Sequence, residues 1–223
     1  EAKKELAKIG YENIEIRRIH VEVTDGVEAS ARRARYAALN DVAQLHNAVA
    51  IFLGHTKDDQ AETVLLGLAR GSGTRSLSGM AQRIDQYRRP LLSITRSQTE
   101  AACDEIGIKF WRDPHNQFME YTRVRVRENV LPMMEKEIGP GVTDALTRSA
   151  KLLRDDADAL DEIAQKEMTA LDPARLDCEH LASLARAIRS RILRAAIYAA
   201  GAPSGSITAD HLAAVEALVT SWR

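Results

Sequence analysis

The sequence contains few of the residues from which disulfide scaffolds and cysteine-based metal sites are built. It has two cysteines in 223 residues, Cys103 and Cys178, far apart in the chain and without a Cys-x-x-Cys pair. This excludes a zinc or iron–sulfur site made of cysteines alone. Because free thiols suit a reducing compartment, we expect a cytoplasmic protein. No apolar run approaches the roughly 20 residues of a spanning helix, so we expect no membrane contact.

Aromatic residues and net charge are equally scarce. Phe, Trp and Tyr make up 4% of the chain, too few for a surface on which single-stranded nucleic acid stacks. The 31 Lys and Arg stand against 32 Asp and Glu, for a net charge of −1, which excludes a protein that is basic throughout. A local basic patch is still compatible with this net charge, since residues 83–127 carry nine basic and six acidic side chains.

The first part of the chain alternates patterns typical of strands and of helices. Strands are predicted at residues 13–23 and 48–53, and helices at residues 28–46 and 56–69. The 48–53 segment is apolar throughout, which is typical of a parallel strand buried on both faces. This alternation predicts an α/β fold with a parallel sheet.

The pattern changes after residue 90, where a helix over 97–106 and a short strand over 108–111 are predicted. From about residue 135 to the end the periodicity is helical throughout. The sequence therefore predicts an α/β domain over residues 1–134 and a small all-α domain over residues 135–223. An apolar stripe over 142–163 would pack within the second domain or pair with a second copy as a homodimer, and the pattern leaves both open.

A polar segment follows directly on the second predicted strand and reads Gly54-His55-Thr56-Lys57-Asp58-Asp59-Gln60-Ala61-Glu62-Thr63. At about 100° per residue, His55, Asp59 and Glu62 share one face of a helix. The opposite face carries residues that we expect to pack, namely Ala61, Val64, Leu65 and Leu68. Ligands bind outside the carboxyl ends of strands in open α/β sheets.

Two interpretations of these carboxylates are open. They could hold Mg²⁺, bind a substrate ammonium or take its proton. Acidic residues in a first helical turn are also common caps, and periodicity alone does not separate the two interpretations.

The polar segment closely resembles the second motif of the PP-loop ATP pyrophosphatases. Further motifs stand around it in order: Ala31-Arg32-x-Ala34-Arg35-Tyr36, Arg70-Gly71-Ser72-Gly73, Leu77-x-Gly79-Met80, Arg89-Pro90-Leu91-Leu92, Trp111-x-Asp113-x-x-Asn116 and Tyr121-x-Arg123-x-Arg125-x-Arg127. Together they resemble the tRNA(Ile)-lysidine synthetase family, from about Ala31 to Pro132. The helical tail resembles the smaller domain that follows the catalytic domain in that family.

The resemblance implies a ligase that consumes ATP. In this family ATP adenylates the C2 oxygen of the wobble cytidine in the CAU anticodon of tRNA(Ile), and the amine of free L-lysine then displaces AMP. The products are lysidine, AMP and pyrophosphate. The expected cofactors are ATP and Mg²⁺, and the expected partners are free lysine and this tRNA.

The resemblance also implies a role for each residue that matches a motif. The implied catalytic residues are Arg35, His55, Asp58, Asp59, Glu62 and Arg127, with Asp59 also a Mg²⁺ ligand. The implied nucleotide-binding residues are Arg70, Gly71, Ser72 and Gly73. The residues implied to contact tRNA or another substrate are Arg32, Arg89, Asn116, Arg123 and Arg125. If residues 123–127 form a strand, their three arginines point one way as a basic ridge, whereas a helix scatters them.

One motif of the family is not in the sequence, the Ser-Gly-Gly-x-Asp-Ser loop that cradles the ATP phosphates. We expect it before Glu1, and we expect a polypeptide without it not to hydrolyse ATP. Two alternatives therefore stay open. One is another PP-loop enzyme such as a tRNA 2-thiolation enzyme, for which Cys103 and Cys178 are poorly placed. The other is a non-catalytic tRNA-binding module.

Overall fold

The computed structural model describes residues 2–24, 26–71, 73–113, 118–172, 175–203 and 207–221. The chain forms two compact units, Glu1–Ala150 and Lys151–Arg223. The first combines helices with a small sheet and the second is helical, as predicted. The division between units follows Ala150, whereas the sequence pattern puts the domain boundary at residue 135. No helix among the described residues has both the length and the apolar character to cross a membrane.

Helices make up most of the first unit. They are α1 (Ala2–Lys8), α2 (Val27–Leu45), α3 (Lys57–Ala69), α4 (Thr74–Leu77), α5 (Arg96–Glu105), α6 (Thr122–Arg125), a π-helical turn (Val126–Val130), α7 (Leu131–Glu137) and α8 (Val142–Thr169), which runs past the division. The predicted helices at 28–46, 56–69 and 97–106 are confirmed to within two residues. α3 and α5 both begin after a threonine, a residue type that favours helix N-termini because its hydroxyl binds free backbone N–H groups.

The sheet consists of three strands, β1 (Ile51–Phe52), β2 (Arg83–Ile84) and β3 (Tyr87–Arg88), in the order β1-β3-β2. β1 pairs in parallel with β3, and β2 pairs antiparallel with β3, so the sheet is mixed. The predicted strand over 48–53 is present but shorter. Its predicted burial on both faces is wrong, because Ile51 is buried while Phe52 is 71% exposed.

The predictions of strands over 13–23 and 108–111 are wrong, since the structure gives both segments no strand. Alternating apolar residues favour a strand only where a neighbouring strand takes up the backbone N–H and C=O groups. In the described part of the chain neither segment has such a neighbour. Ile16, one of the alternating residues, is accordingly 76% exposed.

α3 is held in the first unit by its apolar face. Ala61 and Val64 are buried as predicted, and Ala61 packs with Val126 and Leu131. Leu68, which was expected on the same packed face, is exposed. It lies in the last turn of α3, where Ala69, Arg70 and Gly71 are also exposed.

The second unit contains the end of α8 followed by α9 (Cys178–Ser183), α10 (Arg186–Ala199) and α11 (Ala209–Thr220). Ala164 of α8 packs with Leu181, Ile192 and Leu212 in one core cluster. The helical periodicity of this part of the sequence does not show the break between α9 and α10. Leu184 has an extended backbone between α9 and α10, and its side chain packs against the core cluster, which compensates for the break.

Candidate active site

The N-terminus of α3 holds Asp59 in a fixed orientation. Its Oδ2 accepts hydrogen bonds from the backbone N of Thr56 at 2.8 Å and from the Thr56 hydroxyl at 3.0 Å. A carboxylate is favoured here because backbone N–H groups and the helix dipole both attract negative charge. The second carboxylate oxygen of Asp59, Oδ1, faces neighbouring arginines.

Glu62 forms a two-point ion pair with Arg127. Nε of Arg127 donates to Oε1 at 2.6 Å and Nη2 donates to Oε2 at 3.1 Å. Glu62 has no exposed surface, and burial raises the pKa of its carboxyl while Arg127 opposes that rise. For Arg127, burial disfavours the charged form, but the hydrogen bond and charge of Glu62 outweigh it and raise the pKa of the guanidinium. Glu62 therefore positions Arg127 and does not itself face an open site.

Asp59 shares the same arginine. Nη2 of Arg127 lies 3.3 Å from Oδ1 of Asp59, and Nη2 of Arg96 lies 3.4 Å from that oxygen. Arg127 thus bridges Glu62 and Asp59, which stand on the same face of α3, as predicted. Its Nη1 has no partner among the described residues and remains available to a ligand.

The π-helical turn explains why Arg127 reaches α3. Val126 and Leu131 flank Arg127, and both pack on Ala61 of α3. A π-helical turn carries an extra residue relative to an α-helix, is rare, and is frequently found at functional sites. The turn therefore fixes the register in which the Arg127 guanidinium meets the two carboxylates.

Asp58 points away from this pair. Its Oδ2 accepts a hydrogen bond at 2.7 Å from the backbone N of Arg96, the first residue of α5. Asp58 therefore joins the N-terminus of α5 to that of α3. This contact also places Arg96 where its side chain reaches Asp59.

Three arginines surround one tyrosine in the first unit, and we call Arg32, Arg35, Tyr36 and Arg89 the arginine–tyrosine cluster. Arg32 and Arg89 donate from Nη2 to the Tyr36 hydroxyl at 3.2 and 3.4 Å. The guanidinium carbons of Arg32 and Arg35 lie 4.8 and 5.8 Å from the centre of the Tyr36 ring. Among the described residues, no carboxylate pairs with any of these three arginines.

The charges of both groups act on His55. Burial lowers the pKa of His55 to about 4, with the positive charges of Arg89, Arg32 and Arg35 acting in the same direction and Asp59 opposing them. The imidazole is therefore neutral near pH 7. Its Nδ1 is buried and has no hydrogen-bond partner in the described part of the chain.

Of the two conformations considered for residues 123–127, the structure shows the helix for Arg123 and Arg125. Both lie in α6, which excludes the strand that would align them as a ridge. Arg123 donates to the Thr63 hydroxyl at 3.2 Å and lies 3.6 Å from Glu28. Arg125 instead donates to the carbonyls of residues 119 and 120. Arg123 thus lies beside the site, whereas Arg125 contacts the residues that precede α6.

The predicted nucleotide-binding segment does not join this site. Arg70, Gly71 and Gly73 are exposed at the C-terminal end of α3. Arg70 is eleven residues from Asp59, which corresponds to about 16 Å along a helix. Ser72 and Asn116 lie outside the described residues.

The geometry does not favour a metal ion at Asp59, because both of its oxygens already accept hydrogen bonds. No group of three or more His, Cys, Asp or Glu side chains able to hold a metal exists among the residues that the structure describes. Mg²⁺ at Asp59 stays a prediction.

Two residues of the site were missed from the sequence. Arg96 could not be found from the sequence, because it begins an ordinary helix and contacts Asp59 only through the fold. Tyr36 stands in a motif, but its contacts with three arginines depend on Arg89, which is distant in sequence. Charge patterns along the chain do not reveal such long-range contacts.

Comparison with known proteins identifies relatives of both units. Residues 4–134 match the PP-loop domain family and residues 176–223 match the TilS substrate binding domain. The chain is 50% identical to the tRNA(Ile)-lysidine synthase of Thermobifida fusca, over 98% of the chain and 68% of that protein. It is 49% identical to that of Streptomyces coelicolor, over 98% and 63%, and 43% identical to that of Mycolicibacterium paratuberculosis, over 100% and 68%. The chain thus spans about two thirds of the length of these relatives.

Proposed function

Because the chain belongs to the tRNA(Ile)-lysidine synthase family, we propose that it catalyses the ATP-dependent ligation of lysine to the wobble cytidine of tRNA(Ile) with a CAU anticodon. The C2 oxygen of the cytidine attacks the α-phosphorus of ATP, and pyrophosphate leaves. The amine of free lysine then attacks C2, loses a proton and expels AMP. Lysidine, AMP and pyrophosphate are the products.

The observation that carries this proposal is that carboxylates and unpaired arginines meet near His55, on which Asp59, Arg89, Arg32 and Arg35 all act. Asp59 and Glu62 hold Arg127 through hydrogen bonds of 2.6 to 3.3 Å. The arginine–tyrosine cluster carries three guanidinium groups without a carboxylate partner among the described residues. A reaction between an ammonium-bearing substrate and a phosphate-bearing one needs both kinds of surface in one place.

Both groups of charges have a part in this reaction. Asp59 binds the lysine ammonium when that ammonium replaces Arg96, the longer of its two arginine contacts at 3.4 Å, and it then accepts a proton, since a carboxylate suits both tasks. Arg127, held by Glu62, contacts the adenylated cytidine and stabilises its phosphate through the free Nη1. Arg35 also acts on the phosphate charge. His55 is neutral, so it adds no charge of its own.

ATP fits the site as a substrate because its phosphates match the arginine–tyrosine cluster. Bound ATP supplies the adenylyl group that activates the cytidine oxygen. The buried guanidinium of Arg89 has an Nε without a partner in the described part of the chain, so its hydrogen-bonding capacity is not fully used. Arg70 and Gly73 remain proposed nucleotide contacts, and Arg123 and Arg125 remain proposed tRNA contacts.

The test is incorporation of radiolabelled lysine into tRNA by the full gene product, with ATP and Mg²⁺ present. A transcript of tRNA(Ile) with a CAU anticodon should be labelled, and a methionine tRNA transcript should not. Asp59→Asn should reduce labelling at least 100-fold. The matched control is Asp161→Asn, because Asp161 also binds an arginine, Arg191 at 2.6 Å, but lies in the second unit.

Two outcomes would overturn the proposal. Intact tRNA binding without lysine transfer would favour a non-catalytic tRNA-binding module. Consumption of ATP with a different change to the tRNA, such as sulfur insertion, would favour another PP-loop enzyme. The second outcome would need a sulfur donor from elsewhere, since Cys103 and Cys178 are outside the site described above.

A further inference from the structure

Tyr36 is the point at which three positive charges meet. Its hydroxyl accepts hydrogen bonds from Arg32 and Arg89, and the centre of its ring is 4.8 Å from the guanidinium carbon of Arg32 and 5.8 Å from that of Arg35. Arginines attract the negative face of an aromatic ring and donate to a phenol oxygen, so Tyr36 binds all three. It does so without a negative charge of its own.

Carboxylates pair with several of the other closely held arginines among the described residues. Arg127 is paired with Glu62 and Asp59. In the second unit Arg186 and Arg189 are both paired with Glu216, at 3.0 and 2.9 Å. In the arginine–tyrosine cluster a neutral phenol takes the place of the carboxylate, so the arginines keep their full charge.

Keeping these charges together is unfavourable for the fold. Arg89 is only 5% exposed, and the structure gives its Nε no partner among the described residues. Partial burial and the nearby arginines lower the pKa of Arg32. A buried, unpaired charge is expensive, and such an arrangement is expected where an anion supplies the missing negative charge.

We propose that Tyr36 is a positioning residue that holds Arg32, Arg35 and Arg89 with their charges uncancelled, so that together they bind a phosphate oxyanion of a substrate. Only the source of that phosphate, the nucleotide or the RNA backbone, rests on the function proposed above. The oxyanion site itself does not depend on lysine transfer.

Tyr36→Phe tests this directly, because it keeps the ring and removes the oxygen that Arg32 and Arg89 share. Tyr87→Phe is the matched control. The Tyr87 ring packs 5.0 Å from that of Tyr36, and its hydroxyl bonds Asn40 and no arginine. Titration calorimetry of the full chain with inorganic pyrophosphate should give an affinity about tenfold lower for Tyr36→Phe. Tyr87→Phe should stay within twofold of the wild type.

A parallel titration with a short anticodon stem–loop RNA identifies the phosphate source. Loss of pyrophosphate binding alone assigns the site to the nucleotide, and loss of RNA binding as well assigns it to the backbone of the tRNA. Wild-type affinity of Tyr36→Phe for both probes, or no binding of either probe by the wild type, overturns the proposal.

Arg32→Lys provides a second test that does not alter the buried ring. Arg32 keeps a solvent-exposed surface although its guanidinium is partly buried, so the substitution should be tolerated, and lysine keeps the charge but lacks the planar guanidinium. Its pyrophosphate affinity should fall at least fivefold. Unchanged affinity would mean that only total charge matters and would contradict the positioning role. Tyr36-dependent pyrophosphate binding without lysidine formation would instead refute the proposed function and retain this inference.

Discussion

Arg127 binds Glu62 through two parallel hydrogen bonds, at 2.6 and 3.1 Å, and so connects segments that are 65 residues apart in the chain. The carboxylate is fully buried and the guanidinium is 19% exposed. Burial of both groups is tolerable only because each satisfies the other. The pair therefore sets both the stability of the site and the direction in which Arg127 points.

Glu62→Gln should separate these two contributions. The amide keeps the shape but leaves the Arg127 charge without its buried partner, so the free energy of unfolding should fall by about 3 kcal/mol. Lysine incorporation should fall at least tenfold at a temperature where the variant is folded, because Arg127 loses its orientation. Urea unfolding and the labelling assay measure the two effects.

The control for this substitution is Glu28→Gln. Glu28 also pairs with an arginine, Arg123 at 3.6 Å, but its side chain is 59% exposed. Exposed pairs contribute between zero and about 1 kcal/mol, so the loss should be small. If both substitutions lowered the free energy of unfolding equally, the buried Glu62–Arg127 pair would stabilise the protein no more than an exposed pair does.

The pH dependence of stability should report on His55. Its pKa is about 4 in the folded protein and 6.5 is the usual value, so the unfolded chain binds more protons between those two values. Stability should therefore fall as the pH falls from 6.5 to 4. Allowing for solvent screening of a ring that is only partly buried, we expect a contribution of roughly 1–2 kcal/mol.

His55→Gln should remove this contribution, since glutamine does not titrate. Unfolding by urea at pH 7.0, 5.5 and 4.5 should show a flatter dependence for His55→Gln than for the wild type. His20→Gln serves as the control because His20 is exposed, and its curve should follow the wild type. If the unfolding free energies of all three proteins changed with pH in parallel, the assignment of this pH dependence to His55 would be wrong.

The sequence predicted helical elements of the site better than its contacts. The spacing of His55, Asp59 and Glu62 correctly placed the two carboxylates on one face of α3, because helical periodicity is a local property. It did not predict that Glu62 is buried. That depends on Arg127, whose position is set by a π-helical turn that no spacing rule anticipates.

Strand predictions failed where partners were required. Residues 13–23 alternate as a strand does, yet they have no neighbouring strand among the described residues. Phe52 lies in a real strand but on its exposed face, which an unbroken apolar run could not indicate. Tyr36 was visible only as part of a motif, since its role depends on Arg89 from a distant part of the chain.

Gly79 should not tolerate a side chain. It has a φ of +62°, and a Cβ there would lie 2.7 Å from Oε1 of Gln60. That amide is held in place, because it accepts from the Met80 backbone N at 2.7 Å and donates to the Met80 carbonyl at 3.0 Å. Gly79→Ala should therefore lower the unfolding free energy by about 2–4 kcal/mol, through backbone strain and loss of the clamp.

Gly71→Ala is the matched control for this substitution. Gly71 has nearly the same φ, +63°, but among the described residues nothing lies within 4 Å of a Cβ at that position. Gly71→Ala should therefore lower the free energy of unfolding only by the backbone contribution of about 1 kcal/mol. Thermal unfolding of both variants measures the difference, and equal losses would show that Gln60 moves aside without cost.

Arg89 offers the sharpest contrast between a residue kept for binding and one kept for stability. Both Arg89 and Arg127 are poorly exposed, but only Arg127 has carboxylate partners among the described residues. Arg127→Met should cost about 3 kcal/mol, because it leaves Glu62 buried and unpaired. Arg89→Met removes an unpaired charge together with two hydrogen bonds, and these opposing effects should leave the unfolding free energy within about 1 kcal/mol of the wild type. Its affinity for pyrophosphate should nevertheless fall at least tenfold. If urea unfolding instead showed the same loss of unfolding free energy for both variants, Arg89 would be a structural residue. The arginine–tyrosine cluster would then offer no unpaired charge to a substrate.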